Sequence, residues 1–175
     1  MMTSSTTVTE LVTTARANAL AAQNMIDEIT RGGGAAAGGD QAQALHAAIV
    51  TLEREAIDIY TAFEARMQHH FRRGPFSRKL KALLIEAGED DLADRINLYY
   101  LAVNVLKHGK GDSYRALLKD PSPLIVLRSA PDMAAPMENA ADADRPAGLV
   151  DVTHPGFFHG LTDAIVQATA FLTQR

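Results

Sequence analysis

The chain has 175 residues, of which 47% are hydrophobic and 22% are charged, and its net charge at pH 7 is −4. These values are typical of one globular domain with a sizeable core, so we expect residues 1–175 to form a single domain. The absence of cysteine excludes disulfides, iron–sulfur clusters and thiolate zinc sites. No apolar run is long enough to cross a bilayer, and residues 1–10 lack the cations that begin a secretory signal. We therefore expect a soluble, cytoplasmic protein with no membrane partner.

The first predicted element is a helix, because apolar residues recur at steps of three and four from Val8 to Ile29. Thr6 or Thr7 is expected to cap its start, since a hydroxyl accepts a hydrogen bond from an unpaired N–H of the first turn. The Gly/Ala-rich segment 32–39 then predicts a flexible connector. It does not resemble a phosphate-binding loop, because no strand precedes it and no Gly-Lys-Ser/Thr follows it.

A long second helix is predicted from a cap at Asp40 to about Phe71, ending before Gly74 and Pro75. Its apolar residues follow the spacing of a helix-bundle seam. The same periodicity predicts three further helices, at 77–87, 89–108 and 113–119.

The chain after Asp120 is rich in proline, and its sequence pattern differs from that of the predicted helices before it. Two short apolar runs, 124–127 and 149–152, predict a small β-hairpin, and the Pro/Ala/Asp-rich segment 130–147 between them predicts a mobile loop. A last helix is expected to begin near Pro155. The predicted fold is therefore mainly α, an up-and-down helix bundle of four or five main helices with a small C-terminal β-hairpin.

The segment that best indicates chemistry is the end of the fourth predicted helix. On a helix, Asn104 and His108 lie one turn apart on one face, with Lys107 beside them. Histidine can serve as acid or base in phosphodiester cleavage, and a neighbouring cation can stabilise the charge that develops on the phosphate. The alternative is purely structural, because cations in the last turn followed by Gly109 are also typical of a helix C-terminus.

The five residues from Asn104 to His108 resemble the Asn-x-x-x-His part of the HEPN domain motif, which lies near the end of a bundle helix. The resemblance implies a metal-independent ribonuclease that acts as a homodimer, with His108 as acid/base, Lys107 as the phosphate-stabilising cation and Asn104 orienting the site. The motif's arginine is replaced by Val103. Lys107 itself, Arg95 or Arg115 would have to substitute for it. Otherwise, the resemblance implies a bundle that binds RNA without cutting it.

A basic segment connects the second and third predicted helices. From residue 66 to residue 81 the chain has six cations and no acid, which predicts a surface that attracts anions, or simply a solvated turn. A non-enzymatic module that binds a protein partner or a small anion is the alternative function. The residues expected to contact RNA or another anion are Arg72, Arg73, Arg78, Lys79, Lys81 and Lys110.

A weaker hypothesis places a metal ion on Glu64, His69 and His70. His69 follows Glu64 by five positions, which is poor spacing for two metal ligands on one helix. We therefore predict no metal site and no cofactor.

Overall fold

A computed structural model describes residues 6–33, 38–128 and 148–175. Residues 34–37 of the predicted connector 32–39 and the whole predicted loop 130–147 lie outside the described residues. The described part is a bundle of helices, which confirms the mainly α fold class. Its elements are α1 (Val8–Arg31), α2 (Gly39–Met67) with a 3₁₀ turn at Gln68–His70, α3 (Phe76–Glu86), α4 (Asp90–His108), α5 (Asp112–Lys119) and α6 (Phe157–Thr173).

The start of α1 is set by a reciprocal cap between Thr7 and Glu10. The backbone N–H of Thr7 donates to the Glu10 carboxylate at 2.6 Å, and the N–H of Glu10 donates to the Thr7 hydroxyl at 3.2 Å. Two otherwise unpaired donors of the first turn are thereby satisfied. The buried side chains of α1 lie on one stripe, as predicted: Val8, Val12, Ala15, Ala19 and Ala22.

The start of α2 differs from the prediction. The cap residue is Gly38, which provides no side-chain hydrogen bond, and Asp40 lies inside the first turn. The prediction that Asp40 caps this helix was therefore wrong, although its charge still favours a helix N-terminus. α2 runs antiparallel to α1, and Asn18 of α1 donates to Glu55 of α2 at 3.2 Å.

Aromatic side chains fill the core where α2, α3 and α4 meet. The rings of Phe63 on α2 and Phe76 on α3 pack edge to face, with centroids 5.3 Å apart. Tyr60 of α2 lies 6.4 Å from Tyr100 of α4, measured between ring centroids. The start of α3 and the second half of α4 therefore both pack against the last turns of α2. The predicted seam of α4 is buried along its whole length: Leu92, Ile96, Tyr99, Val103 and Leu106.

The predicted C-terminal β-hairpin is not seen in the described residues. The two apolar runs meet at one isolated antiparallel bridge, between Leu127 and Val150. Two backbone hydrogen bonds of 2.8 Å flank it, from Arg128 to Leu149 and from Asp151 to Val126. The runs therefore approach each other as expected, but they form no strand in the described residues.

The pairing is short because both runs are used in turns. The N–H of Ile125 donates to the carbonyl of Ser122, which folds the first run into a turn before the bridge. In the second run, the Asp151 carboxylate accepts hydrogen bonds from the N–H and hydroxyl of Thr153. This side-chain turn diverts the backbone one residue after the bridge.

No helix in the described residues is both long and apolar enough to cross a membrane.

Candidate nucleic-acid interface

The motif residues lie in the last two turns of α4. Asn104 is half-buried, whereas Lys107 and His108 are exposed. Gly109 follows with φ of +73°, a conformation that favours glycine, and its N–H donates to the carbonyl of Val105 at 2.8 Å. This geometry ends the helix, so the capping interpretation explains Gly109. The cap does not involve the side chains of Asn104, Lys107 and His108, and these side chains remain accessible to solvent.

The position of the motif's arginine faces the core. Val103 is only 1% exposed. A guanidinium cannot occupy that space without losing its hydration, because a buried charge needs a partner that an apolar core does not supply. The packing of α4 therefore requires an apolar side chain at the position where the HEPN motif has arginine.

Two of the three substitute cations are held elsewhere. Arg95 donates to Asp91 at 2.9 Å and to Gln167 of α6 at 2.9 Å, which fixes its guanidinium between α4 and α6. Arg115 pairs with Asp112 within α5. Of the three, only Lys107 belongs to the motif segment itself, and it has no such hydrogen-bonded partner among the described residues.

Two residues that the sequence did not place beside the motif, Tyr60 and Glu64, lie one turn apart on α2 next to it. Burial raises the pKa of the Glu64 carboxyl, and the nearby Lys107 ammonium opposes this by lowering it. Burial raises the pKa of Tyr60 well above its ordinary value, and the proximity of Glu64 and Tyr100 adds to the effect. The Tyr60 hydroxyl is buried and has no hydrogen-bond partner in the described structure. The last turns of α2 therefore add polar groups to the end of α4.

The basic segment runs from the end of α2 through the connecting turn into α3. Arg72, Arg73, Arg78 and Lys79 are exposed, and Lys81 is half-buried. Unlike Arg95, Arg115 and Arg128, none of the five forms an ion pair with a carboxylate of the described residues.

The basic segment and the motif border the same turn of α2. Phe76, at the start of α3, packs on Phe63, while the next residue, Glu64, interacts with Lys107 of α4. Lys110 is exposed just beyond the end of α4. The predicted anion-binding cations and the motif thus lie on neighbouring elements around the end of α2. We call these cations the basic surface: Arg72, Arg73, Arg78, Lys79, Lys81, Lys107 and Lys110.

The paired histidines lie in the 3₁₀ turn after α2. Nδ1 of His69 is 2.7 Å from the Arg66 carbonyl oxygen. The ring centroids of His69 and His70 are 4.2 Å apart. Burial lowers the pKa of His70, and the neighbouring His69 lowers it further. Within residues 6–33, 38–128 and 148–175, no three His, Asp or Glu side chains are grouped to hold a metal ion. Glu64, His69 and His70 therefore do not form the weaker hypothetical metal site.

No protein-family model, no curated protein and no solved structure matches this chain.

Proposed function

We propose that this chain binds RNA through the phosphate backbone and holds it without cutting it. The observation that carries the proposal is the basic surface, whose cations lie on neighbouring elements around the end of α2. Apart from Lys107, which interacts with Glu64, these cations have no carboxylate partner in the described residues. Unpaired cations with this arrangement attract phosphates and release the counterions bound to them.

RNA is favoured over other polyanions by the motif segment. Asn104, Lys107 and His108 resemble part of the HEPN motif and belong to a bundle helix, the context in which that motif occurs. The overall charge of −4 opposes binding at long range. Affinity must therefore come from the local cations, because screening limits the influence of distant acids at physiological ionic strength.

Binding without cleavage is favoured by the position of Val103. The cation that the motif places there is replaced by a buried apolar side chain, and Arg95 and Arg115 are engaged by aspartates. His108 keeps access to solvent but lacks the arginine with which the motif stabilises the phosphate.

The proposal is tested by fluorescence anisotropy of a short labelled single-stranded RNA titrated with the full chain at several salt concentrations. We expect saturable binding whose affinity falls steeply with salt, with the slope set by the number of phosphates neutralised. Absence of binding at low salt would overturn the proposal and favour the alternative, a module that recognises a protein partner.

Ribonuclease activity is a second candidate, favoured by the exposure of His108 and Lys107 beside the half-buried Asn104. In this form His108 would exchange the proton and Lys107 would contact the phosphate, in a homodimer of the kind that the HEPN resemblance implies. The test compares cleavage by wild type and His108→Ala with EDTA present. Metal-independent cleavage that disappears in a folded His108→Ala variant would replace the binding proposal with this one.

A further inference from the structure

Four side chains form a stripe between α2 and α4, next to the basic surface. They lie one turn apart on each helix, and we call them the polar stripe: Tyr60 and Glu64 on α2, Tyr100 and Asn104 on α4. The rings of Tyr60 and Tyr100 are neighbours, with centroids 6.4 Å apart. Glu64 interacts with Lys107, which follows Tyr100 in the chain, so the two helices run in the same direction here. Glu64 and Asn104 therefore form the next pair along the stripe.

The hydrogen-bonding groups of the polar stripe have no partners in the part of the chain that the structure describes. Glu64, Tyr100 and Asn104 are half-buried, and their side chains form no hydrogen bond there. The Tyr60 hydroxyl is buried and is likewise unpaired among the described residues. Buried polar groups normally have partners, because their removal from water without one lowers stability. The polar stripe therefore has the composition of a binding site whose ligand supplies the hydrogen bonds.

We propose, given the RNA binding proposed above, that the polar stripe holds one unpaired base of the bound RNA and selects guanine. The half-exposed Tyr100 ring provides an aromatic surface for stacking, and Tyr60 supports that ring from inside the bundle. Lys107 lies at the end of the stripe, where it is placed to contact the adjoining phosphate. A base inside a duplex exposes neither its face nor its pairing edge, so the RNA is single-stranded at this position.

The pair formed by Glu64 and Asn104 selects the base. The pairing edge of guanine carries a carbonyl oxygen followed by two adjacent N–H donors. The Glu64 carboxylate accepts two parallel hydrogen bonds, and the Asn104 amide donates one to the carbonyl oxygen. Adenine and cytosine place an accepting nitrogen beside their amino group, and that nitrogen would face a carboxylate oxygen. Uracil has a single N–H between two carbonyl oxygens. Of the four common RNA bases, guanine alone therefore complements both side chains.

The test uses labelled short oligouridines that differ only in their central nucleotide, which is uridine, adenosine, inosine or guanosine. Their affinities for the full chain are measured by fluorescence anisotropy at mildly alkaline pH, which favours the ionised carboxyl. We expect guanosine to be preferred over adenosine and uridine by about tenfold, the effect of a bidentate contact. Inosine, which lacks the amino group of guanine, should be intermediate. Equal affinity for the four RNAs would overturn guanine selection and leave the proposed function standing, whereas absence of binding to any of them would overturn both.

Two variants of equal charge assign the preference to Glu64. Glu64→Gln replaces one accepting oxygen by a donor, so we expect the ratio of guanosine to adenosine affinity to fall to about one. Glu28→Gln removes the same charge at an exposed position near the end of α1, away from the stripe, and should keep the ratio of wild type. Circular dichroism melting establishes that each variant is folded. A guanosine preference that persists in folded Glu64→Gln would overturn the proposal.

Two further variants test stacking on Tyr100. Tyr100→Phe keeps the ring and should bind the guanosine RNA like wild type. Tyr100→Leu removes the ring and should bind it about tenfold more weakly, since stacking on an aromatic side chain has an effect of that order. Unchanged affinity in a folded Tyr100→Leu variant would show that the base does not stack there and would overturn the proposal.

Discussion

The hydroxyl of Tyr99 lies against the backbone of Gly160, in the space that a Cβ atom at that position would take. Gly160 lies inside α6, where glycine is normally less favourable than alanine by about 1 kcal/mol. The tyrosine ring also packs edge to face on Phe157, with centroids 5.8 Å apart. The close approach of α4 to α6 therefore requires glycine at position 160, although glycine lowers the stability of the helix itself.

Gly160→Ala is the first prediction. We expect it to lower the free energy of unfolding by about 1–3 kcal/mol, because the added methyl overlaps the Tyr99 hydroxyl in a packed core. Gly39→Ala is the matched control, since its Cβ would meet no atom within 4 Å. Urea unfolding of the two variants and of Tyr99→Phe/Gly160→Ala, in which part of the loss should be recovered, measures the effect. A Gly160→Ala variant as stable as wild type would contradict this account of the α4–α6 contact.

A second prediction concerns the pH dependence of stability at Glu64. Because burial raises the pKa of its carboxyl more than Lys107 lowers it, the folded pKa lies above the unfolded one. The contribution of the Glu64 carboxyl to the free energy of unfolding is therefore fully present below its unfolded pKa. It is lost as pH rises through the folded pKa. Glu64→Gln stays neutral at every pH. We expect its free energy of unfolding, relative to wild type, to increase as pH rises from below the unfolded pKa through the folded pKa of Glu64. A relative stability that decreases over this range would exclude burial as the dominant effect.

Asp151 is predicted to show the opposite dependence. Burial alone would raise the pKa of its carboxyl, but hydrogen bonds from Thr153 and the charge of Arg128 outweigh burial and lower it. The resulting stability is present above the unfolded pKa and lost as pH falls through the folded pKa. Asp151→Asn is expected to cost about 1–3 kcal/mol at neutral pH, and the two proteins should converge in acid. Thermal melts at neutral and acidic pH measure this, and a constant difference between the proteins would refute it.

Introducing at position 103 the arginine that the HEPN motif has there is predicted to damage the fold. Val103→Arg introduces a charge at a position that is 1% exposed, and we expect the variant to lose several kcal/mol of stability or to fail to fold. Lys107→Arg, which keeps a cation at an exposed position of the same helix, is the control and should melt like wild type. A stable, helical Val103→Arg protein would show that α4 can rotate or open to accept the motif's arginine.

Much of the fold is predictable from the sequence because helical periodicity is a local signal. The seam of α4, from Leu92 to Leu106, is buried at every predicted position, and Thr7 caps α1 as one of the two expected candidates. The hairpin was predicted wrongly because β-type composition does not show that Asp151 bonds to Thr153 and ends the pairing.

The neighbours of the candidate site were less predictable. Tyr60 and Glu64 lie one turn apart on α2, but their proximity to Lys107 and Tyr100 depends on how α2 packs on α4. No pattern within one helix encodes that packing. The only local signal was the presence of two polar residues, one turn apart, beside the apolar seam of a long helix.

The central claim, that RNA binds the basic surface, is tested most directly by two double charge reversals. Arg72→Glu/Arg73→Glu changes the proposed surface, whereas Arg31→Glu/Arg54→Glu changes exposed arginines elsewhere, Arg54 lying roughly 20 Å before the end of α2. Each Arg→Glu change removes two charges, so both variants move from −4 by −2 × 2 to the same net charge of −8. We expect the first variant to lose at least about tenfold in RNA affinity and to show a shallower salt dependence, while the second stays close to wild type. Equal losses in the two variants would show that overall charge, and not this surface, controls binding.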